Sequence, residues 1–150
     1  MMRRALKSLR RAREGTTMVE FAMIAPVLIG FIFGVVEFGR LYWTREALAQ
    51  TAITAARCMG ILASNCAAGG NFSSANTTTY IQQVGNDWGI SIPAANVQLN
   101  QNATCGGVAG LSQVSVSVTF HSVVPAIVHL ASSGNTLNAT ACFPNNPPPP

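Results

Sequence analysis

Charged side chains are scarce in this chain of 150 residues, since they make up 9% of it against roughly 25% in an ordinary soluble domain. No Lys or Arg follows Arg57, and Asp87 is the only carboxylate side chain beyond that position. Six of the nine basic residues lie instead among the first thirteen positions. The net charge of +4 therefore describes a basic tip attached to a nearly neutral body.

No charge other than that of Glu20 interrupts the twenty-one residues from Thr16 to Val36. A helix of about twenty residues spans the roughly 30 Å of hydrocarbon in a bilayer, and Lys and Arg beside a span favour the cytoplasmic side. A basic tip would also suit nucleic acid, but the apolar run that follows at once favours a membrane. We therefore expect a single-pass membrane protein with no nucleic-acid partner, whose body lies outside the cytoplasm from about Phe38.

Two alternatives for the apolar run are weaker. A buried core helix of a soluble protein explains neither the basic flank nor the full spanning length. A cleaved secretory signal needs a small-x-small site soon after the run, but the nearby candidate at residues 47–49 lies about ten residues too late. A retained anchor fits better. Pro26 lies inside it and cannot donate a hydrogen bond to Ala22, which predicts a mild kink.

The helical pattern continues beyond the apolar run. Tyr42 and Trp43 suit the aromatic belt found at membrane surfaces. Apolar residues then recur near spacings of three and four, which indicates an amphipathic helix. These residues are Leu41, Leu48, Ala52, Ala55 and Ala56. We predict one helix from about Thr17 to Ile61, about 65 Å long.

The body that follows is rich in Asn, Ser, Thr, Gly and Ala. It contains a segment with the pattern of a second, short helix. Ser73, Ser74 or Asn76 would be its N-cap, and Gly85 would lie near its end.

Strand patterns fill the last third of the chain. In residues 113–121, Val and Phe alternate with polar residues, which predicts one apolar and one polar face. Residues 96–100 and 135–143 are predicted as further strands, and Pro125 ends the central one. The fold class is therefore α+β: a long N-terminal transmembrane helix continues into a small antiparallel sheet, which can face water on one side.

Four cysteines lie on the side assigned outside the cytoplasm. They allow three pairings, and no C-x2-C spacing suggests zinc. In a small exported domain two disulfides are the better interpretation, although buried free thiols are an alternative. The favoured pairing is Cys58 with Cys66, which would tie the helix end to the next loop, and Cys105 with Cys142, which would fasten the sheet to the C-terminus.

Features of an enzyme are sparse in the sequence. His121 and His129 have no carboxylate nearby in sequence, and no nucleophile motif surrounds them. His121 falls on the polar face of the predicted strand, so a solvated residue is the simpler interpretation. No phosphate loop and no metal cluster is present in the sequence. We expect no enzyme activity, no metal and no cofactor.

Glu20 raises a question, because an unpaired charge at the bilayer centre costs about 2.5–3.5 kcal/mol. If the basic leader were cut after Gly15, Thr16 would become a free α-amine four residues from Glu20. This cation would pair with Glu20 of the same helix or with Glu20 of a neighbouring subunit. Alternatively, Glu20 lies hydrated at the cytoplasmic interface, close to Arg13.

The basic leader followed by "GTTMVEF" resembles a class III prepilin signal. Residues 14–57, with Pro26, "VEFGR" and "AAR", resemble the TadE-like family of pseudopilins from tight-adherence (Flp) pilus systems. The resemblance implies a bitopic inner-membrane protein that is cut by a prepilin peptidase, lies in membrane lipid and assembles with other pilin subunits and the pilus machinery. It also implies that Gly15 and Thr16 flank the cut and that Glu20 is the assembly carboxylate. Many type IV pilins have Phe after the cut, so methylation of the Thr16 amine stays open.

The expected organisation has four parts. Residues 1–15 are a leader, 16–62 a long helix with its membrane part at about 17–38, 63–143 a small disulfide-bonded α+β domain with a pilin-like form, and 144–150 a Pro-rich tail. The leading functional hypothesis is a pseudopilin or minor pilin. The alternatives are a membrane-anchored periplasmic adhesin or ligand-binding protein and, less favoured, a periplasmic enzyme.

Overall fold

The computed structural model describes residues 14–122 and 135–146 of the chain. The chain divides into two compact units, Met1–Phe38 and Gly39–Pro150, and each is described by itself. The first unit contains an apolar helical segment. The second contains a small α+β domain.

One long helix, α1, spans Glu14–Gly60 and contributes residues to both units. It includes the predicted helix from Thr17 and ends one residue before the predicted end at Ile61. The elements that follow it are hairpin strands β1 (Ala67–Ala68) and β2 (Asn71–Phe72), helix α2 (Ser74–Asp87), a 3-10 turn (Ala94–Asn96), and sheet strands β3 (Val97–Cys105), β4 (Val108–Thr119) and β5 (Thr136–Pro144). The larger sheet is antiparallel in the order β3-β4-β5. The α+β fold class, a long N-terminal helix followed by small antiparallel sheets, is confirmed.

Strand β4 is the centre of the sheet and shows the predicted alternation. Val114 and Val116 are 0% and 1% exposed, whereas Ser115 and Ser117 on the other face are partly exposed. Successive side chains of a strand point to opposite faces. The valine face therefore covers the core, and the serine face is open.

The part of α1 that belongs to the second unit supplies the other side of this core. All five residues of the predicted apolar stripe are buried, and Ala47 and Met59 extend it. Four of the buried helix residues are alanines. Their short side chains allow close packing against neighbouring elements, so the core is formed by a thin helix face and the valines of the sheet.

Three short features were not predicted from the sequence. The β1–β2 hairpin and the 3-10 turn contain too few residues to produce a periodic pattern. Gly106 and Gly107 form the two-residue turn between β3 and β4, with φ of +59° and +86°, a conformation that glycine adopts readily. The prediction placed β3 at residues 96–100, but it continues to Cys105 through bulges after Asn100, which interrupt the alternation.

The carboxyl end of β4 also differs from the prediction. The strand ends at Thr119, so Phe120 and His121 lie beyond it. Phe120 is nevertheless 5% exposed, and its N–H donates to the carbonyl oxygen of Asn135 at 2.6 Å. The predicted strand terminator, Pro125, lies outside the described residues.

Helix α2 has defined caps at both ends. Ser73 is the N-cap, and its hydroxyl accepts a hydrogen bond from the Asn76 N–H. At the other end, Ile90 N–H donates to Gly85 O and Gly89 N–H donates to Asn86 O, both at 2.9 Å. With φ of +77° at Gly89, this is a Schellman motif. Ser73 is one of the three N-cap candidates from the sequence, and Gly85 lies in the last turn as expected.

Candidate functional site

The backbone of Gly15 and Thr16 is helical and belongs to α1. Both residues are therefore positioned by the same continuous helix that carries Glu20.

Glu20 lies one turn further along α1 and is exposed. Its neighbours Met18, Val19 and Phe21 are 78%, 60% and 72% exposed. Positions four apart share one face of a helix and differ in height by about 6 Å, so Thr16 and Glu20 share a face. Glu20 is thus a single carboxylate on an open apolar surface.

The apolar surface extends along α1 from Met18 to Phe38. Within the described residues, this is the one helix long and apolar enough to cross a membrane, and its apolar window has no buried residue. Pro26 lies inside the helix, which continues on both sides of it. The kink at Pro26 stays a prediction.

The four cysteines form two pairs at disulfide distance. Cys58 is bonded to Cys66 and Cys105 to Cys142, with Cα–Cα distances of 5.9 Å and 6.6 Å. This is the pairing favoured from the sequence. The first bond joins the last turn of α1 to the loop before β1, and the second joins the ends of the two outer sheet strands.

Polar contacts hold the segment after β5. Asn145 donates from Nδ2 to the carbonyl oxygen of Gln101 at 2.7 Å, and its Oδ1 accepts from the hydroxyl of Ser112 at 2.6 Å. Asn146 N–H donates to Gly60 O at 2.8 Å. Residues 145 and 146, which the sequence analysis placed in the Pro-rich tail, are thus fastened to the sheet and to the end of α1.

The histidines contribute no catalytic arrangement within the described residues. His121 is exposed just after β4, and His129 lies outside the described residues. No group of three His, Cys, Asp or Glu side chains close enough to hold a metal ion occurs among residues 14–122 and 135–146.

An open groove of about 590 Å³ lies on the polar face of the sheet. It carries hydroxyl and amide groups and no charge. Among its lining residues are Asn96, Gln98, Ser115, Ser117, Asn138 and Thr140. Ser115 and Thr140 are hydrogen-bonded to each other across β4 and β5 at 2.8 Å.

An aromatic pair was missed by the sequence analysis. Trp43, on α1, and Trp88, at the end of α2, have ring centroids 5.8 Å apart. The two residues are 45 positions apart in the chain, and no local pattern indicates that they meet. Only the packing of α2 against the rest of the domain brings them together.

Comparison with known proteins gives one match. Residues 15–57 match the family model described as TadE-like protein, which is less than a third of the chain and lies within α1. No curated protein and no solved structure matches the chain. The suspected resemblance is confirmed for this segment. The TadE-like family is associated with tight-adherence pili and is a structural family, so the match over this segment points to a pilus-associated membrane protein.

Proposed function

We propose that this chain is a pseudopilin or minor pilin that acts in the assembly of a tight-adherence type IV pilus. The observation that carries the proposal is the coincidence of three features around Gly15. The family match begins at Gly15, six of the nine basic residues lie before it, and Glu20 is the only charge in the apolar helical segment that follows. A single-pass anchor with this arrangement suits a subunit that is stored in a membrane and then assembled.

The proposed processing step is hydrolysis of the peptide bond between Gly15 and Thr16 by a prepilin peptidase. The step removes residues 1–15 with six of the nine basic residues. The mature chain then keeps the helix, which ends at Gly60 and has its proposed membrane part at about 17–38, followed by the proposed domain at 63–143 and tail at 144–150. Its anchor lies in the bacterial inner membrane, with the amino end cytoplasmic and the domain periplasmic or in the fibre.

Cleavage changes the electrostatics of the helix end. The new α-amine of Thr16 adds a positive charge to the positive end of the helix dipole, which is unfavourable by itself. Glu20, four residues on, compensates for it within one helix or, in a fibre, between neighbouring helices. An isolated carboxylate in hydrocarbon is costly, so this pairing would select partners and set their axial register.

The processing step is tested with Gly15→Ala and a matched control on the same helix, Gly30→Ala. A Cβ at Gly30 would meet no atom within 4 Å, so the control should be cut normally. Intact-mass measurement should give a chain beginning at Thr16 for the wild type and the control. Gly15→Ala should leave a full-length chain that still inserts. A full-length wild-type chain in pilus-producing cells would contradict the proposal.

The role of Glu20 is tested with Glu20→Gln, which removes the charge and keeps the shape. Glu46→Gln is the matched control, because Glu46 is also an exposed carboxylate on α1 but lies in the second unit. Glu20→Gln should leave cleavage and insertion near normal, weaken crosslinking to partner pilins and reduce piliation. Normal crosslinking and normal pili in this strain would favour the alternative, a hydrated Glu20 at the interface.

The orientation is tested by a reporter fused after Pro150. A reporter that works only after export should be active there, because the basic residues before α1 favour a cytoplasmic amino end. Activity of a reporter that works only in the cytoplasm would refute the orientation.

A second function, a membrane-anchored periplasmic adhesin or ligand-binding protein, is favoured by the polar groove on the sheet. Its uncharged hydroxyl and amide groups suit a neutral polar ligand such as a sugar. Processing separates the two functions, since an ordinary anchored receptor should keep residues 1–15 as well as its helix.

A further inference from the structure

The only two tryptophans of the chain are in contact with each other. The indole Nε1–H of Trp43 donates to the backbone carbonyl oxygen of Trp88 at 3.3 Å. Their ring planes are inclined by 59°, a tilted arrangement that aromatic pairs favour. The Trp43 N–H is thus partly satisfied by protein, while the rings stay available for other contacts.

Both rings are open to the surroundings despite their size. Trp43 is 57% exposed and Trp88 is 40% exposed, and the adjacent Tyr42 is 61% exposed. The core of the same domain buries Leu48 and Ile81 completely. The domain therefore leaves its largest aromatic side chains outside its core and groups them at one place.

Trp88 is held at this place by the end of helix α2. It is the C-cap residue, and its N–H donates to Val84 O and Gly85 O at 3.3 Å and 3.1 Å. The Schellman motif at Gly89 ends the helix directly afterwards. The position of the Trp88 ring is therefore set by a defined helix terminus that packs on the core through Ile81.

The chemistry of the pair fits a lipid headgroup layer. Tryptophan and tyrosine concentrate there, because one part of the ring is apolar and the other polar. Trp43 follows the proposed membrane segment, which ends at about residue 38, by five residues, or about 7.5 Å of helix. Arg45 is exposed on the same stretch and suits lipid phosphates. Asp87, next to Trp88, would be repelled by a strongly anionic surface, so zwitterionic lipid is the better match.

We propose that the Trp43–Trp88 pair is a lipid-docking surface through which the folded domain rests on the bilayer before it is assembled. Trp88 reaches the headgroup layer beside Trp43, although it lies far from the membrane segment in sequence. The inference relies on the membrane placement of α1 in the proposed function. It does not depend on cleavage at Gly15 or on entry into a fibre.

The experiment uses full-length chain in phosphatidylcholine vesicles whose acyl chains are brominated either near the headgroups or near the bilayer centre. Because the chain has two tryptophans, Trp43→Phe leaves only Trp88 emission and Trp88→Phe leaves only Trp43 emission. Phenylalanine keeps an aromatic ring at each place, and circular dichroism verifies that each variant is folded. Trp88→Tyr serves as a second variant if Trp88→Phe does not fold.

Both single-tryptophan chains should lose more emission with bromines near the headgroups than with bromines near the centre. If Trp43 is quenched in this way but Trp88 is quenched only by aqueous acrylamide, the inference is wrong and the membrane anchor stands. If Trp88 is shielded from both acrylamide and bromolipid, the surface binds protein and not lipid, which also overturns it. If neither tryptophan responds to bromolipid, the inference and the membrane placement in the proposed function fail together.

Discussion

The two halves of α1 have the same backbone geometry and opposite environments. In residues 17–36 the large apolar side chains are all more than half exposed, for example Leu28 at 54%. In residues 41–60 one stripe is buried, and Leu48 is 0% exposed. The difference follows the sequence pattern, because the first half is apolar on every side and the second on one side only. A helix that is apolar all round needs an apolar environment other than water.

The halves also differ in what holds them. The second half packs against the valines of β4, and the unit that contains it also holds both disulfides and buried hydrogen bonds. Thr51, for example, donates from its hydroxyl to Ala47 O at 2.8 Å. Within the described residues, each buried side-chain nitrogen and oxygen has a partner. The first half has its own backbone hydrogen bonds and an exposed apolar surface. Substitutions in the second half should therefore change folding, whereas those in the first should change insertion or assembly.

The largest effect is expected from removing the longer disulfide, which lies in the same unit as the second half of α1. Cys105→Ala combined with Cys142→Ala removes a bond between residues 37 positions apart. In the chain-entropy model a loop of this length contributes about 4 kcal/mol to the free energy of unfolding. Urea unfolding in mild detergent, followed by near-ultraviolet circular dichroism, should show a loss of this order, while membrane insertion stays normal. An unchanged unfolding midpoint, or a loss of insertion, would contradict the separation.

The next effect compares one substitution in both halves. Leu48→Ala opens a cavity in the core and should lower the free energy of unfolding by about 2–5 kcal/mol. Leu28→Ala, the matched control, removes the same atoms from an exposed position and should leave the unfolding of the domain unchanged. The same urea titration measures both variants. Equal losses for the two variants would mean that the halves fold as one cooperative unit.

The smallest expected effect comes from a glycine-to-alanine substitution, made once in each unit and compared. Gly89→Ala forces a Cβ into the left-handed region at the end of α2, and should cost about 1–2 kcal/mol. Gly30→Ala places a Cβ in open space on α1 and should leave the stability of the domain unchanged. Thermal unfolding resolves a difference of this size. A Gly89→Ala chain as stable as the wild type would show that the Schellman turn relaxes without strain.

Much of the architecture could be predicted from local patterns. The apolar run, the stripe through Leu48 and the alternation at Val114 and Val116 repeat over enough residues to identify their elements and their buried faces. Local preference also narrowed the start of α2 to three N-cap candidates, of which Ser73 is the one observed. The segment that resembles TadE-like proteins was identified by short motifs within one continuous helix, where sequence distance is spatial distance.

What the tertiary structure decided are contacts between residues far apart in the chain. No local pattern in the sequence predicts that Trp88 contacts Trp43 or that Asn145 contacts Ser112. None predicts that β3 continues past its bulges to Cys105. These contacts depend on how α2 and the sheet strands fold back on one another, and the entropy of closing such loops is overcome only by the whole core together. The sequence by itself determined which helix half is apolar all round and which strand face is buried, because each is a periodic property of neighbouring residues. Which distant side chains meet was left to packing.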